Sequence, residues 1–179
     1  MTIRAAGLAD AAAIAQVHTH SWQSAYRGIL SDDFLQGALP ENRRVLWHTR
    51  LAKPERTGQF VLVDEQGGAI RGFACAFLEA DLEWGCLLDN LHVVPDLKGK
   101  GLGRQLMAAV AGRVWRSNPC GRLHLWAYEQ NLGARRFYER LGGALNLRHA
   151  ELALDGTQVN AVRYCWSELS GLAGQFTTQ

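Results

Sequence analysis

Lysine is scarce in this chain, and neither sign of charge dominates. The 179 residues carry 19 basic and 17 acidic side chains, which leaves a formal net charge of +2 at pH 7. So small an excess does not indicate a nucleic-acid partner or an anionic membrane surface. The lysines are Lys53, Lys98 and Lys100, and the last two stand two positions apart. Any strongly basic site must therefore be local.

Long apolar runs and paired cysteines are also missing. No stretch approaches the roughly 20 apolar residues that a membrane helix needs, and residues 1–10, MTIRAAGLAD, lack the apolar core of a signal peptide. We therefore expect a cytoplasmic protein without a membrane partner. The four cysteines form no C-x-x-C pair, and the six histidines show no metal-binding spacing. We predict neither a metal site nor a redox motif.

The order of the apolar patterns predicts one α/β domain. Three β-rich runs, QFVLVDE, IRGFACAFLEA and EWGCLLDNLHVV, follow one another and favour an antiparallel meander whose first turn is QGG. Apolar residues at every fourth position from Leu102 to Val114 then predict a helix. Because this helix separates them, the strand RLHLWAY should run parallel to the strand before it. A second helix, NLGARRFYERLGG, precedes two strands that turn at Asp155-Gly156.

These elements predict a mixed, strongly twisted sheet of about seven strands with helices on both faces. The domain should span residues 1–167, and residues 168–179 should form a loosely ordered tail. In the N-terminal part, Asp10 is a candidate N-cap for the first helix. Ser31 should cap a short second helix, and Pro40 and Pro54 should bound a third.

The stretch VVPDLKGKGLGRQL places a glycine-rich loop between a strand and a helix, an arrangement typical of phosphate binding. A P-loop would need G-x-x-x-x-G-K-[ST], and no Ser or Thr stands at that place. A dinucleotide fingerprint would need G-x-G-x-x-G with an acidic residue about 20 positions later, and the spacing does not match. Two interpretations stay open: backbone N–H groups that surround a pyrophosphate, or a glycine-rich turn with solvated lysines.

The segment LDNLHVVPDLKGKGLGRQLM resembles the acetyl-CoA-binding motif A of the GNAT superfamily of N-acetyltransferases, with Lys98 where glutamine or arginine is usual. Further along, NLGARRFYERLGG resembles the family's motif B at Asn131, Ala134, Phe137, Tyr138 and Gly142. The resemblance covers residues 2–167. It implies a GNAT-like sheet and acetyl-CoA as the cofactor.

The resemblance also implies roles for individual residues. The main chain near Leu91, His92 and Val93 would bind the pantetheine arm and the thioester carbonyl. Asn131 and Ala134 would contact the cofactor arm, and Tyr138 would give its proton to the coenzyme A sulfur. The pyrophosphate would be held by the loop residues Lys98, Gly99, Lys100, Gly101, Leu102, Gly103 and Arg104.

The general base and the acceptor site carry weaker signals. Among the acids near the motif A strand, Asp89 and Glu79 are the candidate bases, and strand alternation would place Asp89 on the same face as Leu91 and Val93. Aromatic residues of the first helix and of the strand before motif B, namely Trp22, Tyr26 and Trp126, are candidate substrate contacts.

We therefore expect an N-acetyltransferase that moves an acetyl group from acetyl-CoA to a primary amine of a small molecule or peptide, with Tyr138 as general acid. A non-catalytic module that binds acyl-CoA, or a transferase that uses another acyl donor, stays open as an alternative. A homodimer is compatible with the family.

Overall fold

The computed structural model describes residues 2–53, 58–118 and 121–173, without the side chains of Glu79 and Ala173. Pro54 and Cys120 lie outside the described residues. The strands are β1 (Thr2–Ala5), β2 (Gln59–Gln66), β3 (Ala69–Asp81), β4 (Gly85–Val93), β5 (Leu123–Tyr128), β6 (Ala144–Leu152) and β7 (Gln158–Trp166). The α-helices are α1 (Ala11–Ala25), α2 (Leu39–Ala52), α3 (Leu102–Ser117), α4 (Leu132–Arg140) and α5 (Ser170–Ala173).

The described strands form one sheet of seven in the order β1-β2-β3-β4-β5-β7-β6. Neighbouring strands are antiparallel except β4 and β5, which run parallel because α3 connects them. The turn between β2 and β3 has Gly67 and Gly68 at φ of 60° and 80°, the backbone that a two-residue hairpin turn requires. The predicted mixed sheet, the meander and the parallel pair are confirmed.

Helices cover both faces of the sheet, as predicted. On one face α1 and α2 pack against alternate residues of β2 and β3, with Val61, Val63, Phe73 and Cys75 in that core. On the other face α3 packs against Phe60, Leu62, Ala74 and Ala76. Strands β2 and β3 are thus apolar on both sides, which is why their sequences read as continuous apolar runs. No helix in the described ranges is both long and apolar enough to cross a membrane.

The N-terminal helices differ from the sequence prediction. Asp10 does not cap α1; its carboxylate accepts the Gly7 N–H at 2.8 Å and pairs with Arg4. Ser31 does cap the next helix, since its Oγ accepts the Phe34 N–H at 3.3 Å. However, a π-helical turn, Phe34–Ala38, passes directly into α2, so the predicted second and third helices are continuous across Pro40.

The chain beyond β7 is packed as far as the structure describes it. Leu169 and Leu172 are buried in the core that α3 shares with the sheet. Two leucines three positions apart can lie on one face of a helical turn, so they hold the start of this segment on the core, while Glu168, Ser170 and Gly171 are exposed. The loosely ordered tail stays a prediction. Residues 174–179 lie outside the described residues.

One ion pair inside the sheet should be important for stability. Asp64 is fully buried, and Arg71 donates to its Oδ2 from Nε at 2.7 Å and from Nη2 at 2.6 Å. Arg71→Met should lower the free energy of unfolding by about 3 kcal/mol, because it leaves a buried carboxylate without its cation. Urea denaturation measures the change.

The matched control is Arg44→Met, since Arg44 belongs to an exposed pair with Glu41. That variant should change the free energy of unfolding by less than about 1 kcal/mol. Equal effects of the two substitutions would contradict the importance of the buried pair.

Candidate active site

The parallel strands β4 and β5 pair over a short distance and then diverge. In the described sheet their register holds two pairs, Cys86 with Leu123 and Leu87 with His124. Beyond this point a cavity of about 630 Å³ opens between the strands. A cavity of this size, in the gap of a sheet, is typical of a small-molecule site. Its lining comes from α1, β4, the glycine loop, β5 and α4.

A β-bulge shapes the β4 side of the cavity. The register with β3 shifts so that Ala76 faces Leu88 while Cys75 faces Asn90, and Asp89 is the additional residue. The Asp89 carboxylate therefore turns toward α2, where Arg50 Nη1 donates to its Oδ2 at 2.6 Å. The same nitrogen donates to Asn90 Oδ1 at 3.0 Å.

This bulge makes one sequence expectation wrong. Leu91 and Val93 pack on the α3 side of the sheet, and Asp89 does not share that face. Simple alternation fails because the bulge adds one residue to the count. Asp89 nevertheless lines the cavity. The side chain of the other candidate base, Glu79, lies outside the described residues.

The glycine loop presents backbone rather than side chains to the cavity. Gly99 and Gly101 have φ of 80° and 84°, and a Cβ at either position would meet nothing within 4 Å. No side chain among the described residues caps the N-terminus of α3. Open N–H groups at a helix N-terminus favour an anion, and the positive φ values leave room for its close approach. The loop residues present fit a pyrophosphate group.

The side chains of the loop divide into two sets. Lys98 and Arg104 line the cavity together with three of the glycines, and Lys98 Nζ donates to Ser24 Oγ on α1 at 3.3 Å. Partial burial lowers the pKa of Lys98 from its ordinary value. Leu102 instead is buried, and the exposed Lys100 is not part of the lining. At Lys100 and Leu102 the loop can therefore offer a ligand in the cavity its backbone but not its side chains.

Gly103, in the motif A segment, lies against the motif B helix. A Cβ at this position would stand 3.4 Å from Cζ of Phe137 on α4. This is at the short end of ordinary van der Waals contact, so α3 and α4 lie close together at Gly103. Asn131 caps α4 by accepting the Ala134 N–H at 3.1 Å. Its side chain also hydrogen-bonds to Tyr26, the residue that follows α1. Asn131 and Ala134 both line the cavity.

Tyr138 lies on α4 and contributes to the cavity wall. Its ring contacts Phe137, Tyr164 and Trp166, and its hydroxyl is hydrogen-bonded to none of the residues that the structure describes. Burial raises the pKa of this phenol well above its ordinary value of about 10. Tyr138 therefore presents a protonated hydroxyl to the cavity at neutral pH.

The opposite wall comes from α1 and was largely missed by the sequence analysis. Ser21, Ser24 and Ala25 line the cavity together with Tyr26. Ser21 Oγ lies 3.0 Å from Nδ1 of His92 on β4. The signal that could have found this wall is three small residues at positions i, i+3 and i+4 of a helix, which lie on one face and leave space beside it.

Two histidines stack behind this wall. The His92 ring lies 4.4 Å from that of His18, which is fully buried on α1. Burial first, and then the positive charges of Arg43 and Lys98, lower the pKa of His92 to about 3. Burial likewise lowers the pKa of His18 well below its ordinary value. Both rings are neutral near pH 7.

Two of the three predicted substrate residues line the cavity, and the third does not. Tyr26 and Trp126 line the cavity, and Trp126 is 37% exposed. Trp22 does not line it; its ring lies 4.6 Å below the guanidinium of Arg43. Of the acids at the β3–β4 turn, Asp81 accepts the N–H groups of Glu83 and Trp84, a structural role.

The gap between the strands thus contains an open helix N-terminus that fits a pyrophosphate and a buried phenol, an arrangement that fits an enzyme acting on an acyl-CoA. Residues 19–143 match the sequence profile of the acetyltransferase (GNAT) family. The chain belongs to this family, and its fold is an acetyl-CoA-binding one. It is an acyltransferase of the N-acetyltransferase type.

Curated relatives agree with this assignment. The chain is 27% identical over 174 residues to the uncharacterized N-acetyltransferase YuaI of Bacillus subtilis, and covers 96% of both chains. It is 30% identical over 146 residues to the L-amino acid N-acyltransferase MnaT of Escherichia coli, 79% of this chain and 78% of the relative. It is 32% identical over 72 residues to the spermine/spermidine N(1)-acetyltransferase of B. subtilis, 40% of this chain and 45% of the relative.

A solved structure shares the fold. The PaiA N-acetyltransferase of Thermoplasma acidophilum, determined in complex with coenzyme A, superimposes with a TM-score of 0.68 at 17% identity. The match covers 90% of this chain and 98% of that one.

The left-handed glycine at the start of α3 should matter for cofactor affinity. Gly101→Ala forces an L-residue to φ of 84°, in a loop that lines the cavity. We expect acetyl-CoA to bind about tenfold more weakly, since roughly 1–2 kcal/mol of backbone strain would have to be relieved by moving the loop. Isothermal titration measures the affinity.

Gly156→Ala is the matched control for this experiment. Gly156 has φ of 83° in the β6–β7 turn, away from the loop, so it carries the same strain without touching the cavity. The control should keep the affinity of the unmodified protein. An equal loss in both variants would mean that general destabilisation, not the loop, causes it.

The neutral histidines predict that stability falls between pH 7 and pH 5. In the unfolded chain His18 and His92 take up a proton near pH 6.5, whereas the folded protein keeps both neutral to much lower pH. The unfolded state binds more protons in this window, so the free energy of unfolding should drop on acidification by about 4 kcal/mol, roughly 2 kcal/mol for each histidine. Urea denaturation at the two pH values measures the drop.

His92→Gln should reduce the loss of unfolding free energy between pH 7 and pH 5, because it removes one of the two histidines that cause it. His20 lies on the same helix as His18 but is exposed, so His20→Gln is the control and should leave the drop unchanged. A drop of full size in His92→Gln would show that other groups cause it.

Proposed function

We propose that the protein transfers an acetyl group from acetyl-CoA to a primary amine of a small molecule or peptide, with Tyr138 as general acid. The observation that carries this proposal is a buried phenol whose hydroxyl has no partner among the described residues, in the same cavity as the open N-terminus of α3. The same cavity thus offers both groups that the reaction needs, a site that binds the anionic cofactor and a hydroxyl that can donate a proton.

The cofactor arm would be held by β4. Its edge toward β3 is paired, but its edge toward β5 is free beyond Leu87, so the main-chain groups near Leu91 and Val93 have no strand partner there. Unpaired backbone groups in a partly buried gap need a partner from water or a ligand. An extended amide-containing arm can supply one. Lys98 and Arg104 would screen the phosphate charge.

Acetyl-CoA would supply the thioester carbonyl that a neutral amine attacks, with the thiol as the leaving group. Tyr138 is protonated at neutral pH, as a phenol of ordinary pKa already is, so it has a proton to donate to the departing sulfur. Asp89 would accept the proton of the amine. It is the one carboxylate in the described lining of the cavity, and Arg50 holds it by its Oδ2.

Relatives act on more than one kind of amine. By their names, one E. coli relative acylates L-amino acids and one B. subtilis relative acetylates spermine and spermidine. A primary amine is what these acceptors share.

Glu79 as a second base, a different acyl donor and a cytoplasmic location stay predictions. So does a homodimer, for which the fully exposed strand β6 would be the contact surface.

Tyr138→Phe should lower kcat at least 100-fold and leave the KM for acetyl-CoA nearly unchanged, because it removes the proton donor and keeps the ring. Thiol release from acetyl-CoA with a panel of primary amines measures both constants. Tyr164→Phe is the matched control: its hydroxyl donates to Glu139, outside the cavity lining, and kcat should stay within about twofold.

Unchanged turnover in Tyr138→Phe would contradict the assignment of Tyr138 as the general acid. Binding of acetyl-CoA without thiol release for any amine would instead favour a non-catalytic acyl-CoA-binding module.

A further inference from the structure

Tyr26 belongs to the α1 wall of the cavity, and the chain around it fixes its position. The residue directly follows α1, and its N–H donates to the Trp22 carbonyl at 2.9 Å. Its own carbonyl accepts the N–H groups of Ile29 and Leu30, each at 2.9 Å. Its ring packs against that of Trp22 at 4.9 Å and that of Tyr128 at 5.1 Å. A side chain held in this way has little freedom to move its hydroxyl.

The Tyr26 hydroxyl bonds to Asn131, and this bond leaves its proton unused. Burial raises the pKa of Tyr26 above its ordinary value, whereas the bond from Asn131 lowers it, as a donor to the phenol oxygen does. The Asn131 oxygen Oδ1 meanwhile accepts the Ala134 N–H at 3.1 Å. Asn131 therefore donates from Nδ2 to Tyr26 Oη. The O–H of Tyr26 stays available to a ligand in the cavity that Tyr26 lines.

A second phenol lies in the same cavity. Tyr138 also lines it, from α4, and after burial it is the next cause of the raised pKa of Tyr26. Such an effect requires the two hydroxyls to be near each other, because the interaction between charges falls with distance. Both phenols are protonated at neutral pH. The cavity therefore offers two O–H donors, one from α4 and one from the α1 wall.

The two serine hydroxyls of the described α1 wall have other neighbours. Ser21 Oγ lies 3.0 Å from Nδ1 of His92, so this hydroxyl is engaged with the imidazole. Ser24 Oγ accepts the Lys98 ammonium at 3.3 Å, on the loop side of the cavity where the pyrophosphate would be held. Tyr26 is the hydroxyl of this wall that interacts with the other phenol.

Acetyl transfer creates two negative centres, and one phenol can serve only one of them. When the amine nitrogen attacks, the N–C bond forms and the π electrons of the carbonyl move to its oxygen. The intermediate then collapses and the C–S bond breaks. The thiolate takes the proton of Tyr138, while Asp89 takes the proton of the amine. The carbonyl oxygen therefore needs a donor other than Tyr138.

We propose that Tyr26 is that donor: its O–H hydrogen-bonds to the carbonyl oxygen of the acetyl group and stabilises the negative charge that develops there. The inference rests on the proposed acetyl transfer with Tyr138 as general acid. Tyr26 would act beside the main chain of β4, so that the oxygen has donors from both the sheet and the α1 wall. No proton leaves Tyr26 in this role. Asn131 orients the phenol by donating to its oxygen.

The carbonyl stretch of bound acetyl-CoA tests the contact directly. Acetyl-CoA labelled with carbon-13 at the carbonyl is bound without an amine, and its infrared band is compared between the unmodified protein and Tyr26→Phe. The variant should move the band to higher frequency, because a donor to the oxygen weakens the C=O bond. Tyr128→Phe is the matched control: its ring packs on Tyr26 but is not part of the described lining, so the band should stay. An unmoved band in Tyr26→Phe would overturn the proposal.

Turnover measures what the contact contributes to the reaction. Tyr26→Phe should lower kcat about 100-fold and change the KM for acetyl-CoA by less than about threefold, because the hydrogen bond strengthens as the oxygen becomes negative. Tyr128→Phe should keep kcat within about twofold of the unmodified protein. A kcat that Tyr26→Phe leaves unchanged would refute the catalytic role of Tyr26.

A purely structural role, in which Tyr26 only holds Asn131, makes a different prediction. Tyr26→Phe would then lower kcat no further in an Asn131→Ala background. A direct contact with the acetyl group instead predicts a further fall of at least about tenfold in that background. Thermal denaturation of each variant checks that it is folded.

The infrared and kinetic results separate this inference from the proposed function. If no amine releases thiol, acetyl transfer fails, but a band that moves in Tyr26→Phe and not in Tyr128→Phe would still support the carbonyl contact. If Tyr138→Phe keeps its turnover while Tyr26→Phe loses it, the assignment of Tyr138 fails and that of Tyr26 stands.

Discussion

The divergence of β4 from β5 is the constraint on which the rest of the site depends. Two register pairs hold the strands together, and beyond them each strand has one edge without a strand partner. In a closed sheet those backbone groups would bond to each other and no cavity could exist. The bulge at Asp89 adds twist at the same place. The contact of Gly103 with Phe137 then keeps α3 and α4 close on one side of the gap.

Electrostatics divide the cavity into two halves. The loop half combines a helix N-terminus with Lys98 and Arg104, so it favours a strongly charged anion. The α1 half contains the neutral, half-buried His92, and behind it lies Arg43, a buried cation that forms no salt bridge with the residues that the structure describes. Buried groups without partners reduce stability, and proteins tolerate them mainly where function needs them. The proton-donating Tyr138 lies in the wall of the same cavity.

The expectations that failed share one physical cause. Asp10 could cap α1, but Arg4 and the Gly7 N–H compete for its carboxylate. Pro40 could start a helix, but the π-helical turn before it is already helical, so the helix continues through Pro40. Alternation assigned Asp89 to the wrong face because a bulge is set by pairing with β3. Each outcome depends on a partner or a register that a local pattern does not contain.

The amino-acid sequence by itself determined the order of the strands and helices, the turns, the glycine loop and the position of Tyr138, because each depends on local periodicity, backbone freedom or a short motif. The tertiary structure alone decided which side chains gather at and behind the α1 wall of the cavity. Ser21, His18 and Arg43 come from two helices that pack on the sheet far from the motifs in sequence. Burial and missing partners, which give these residues their chemistry, are properties of packing between distant segments.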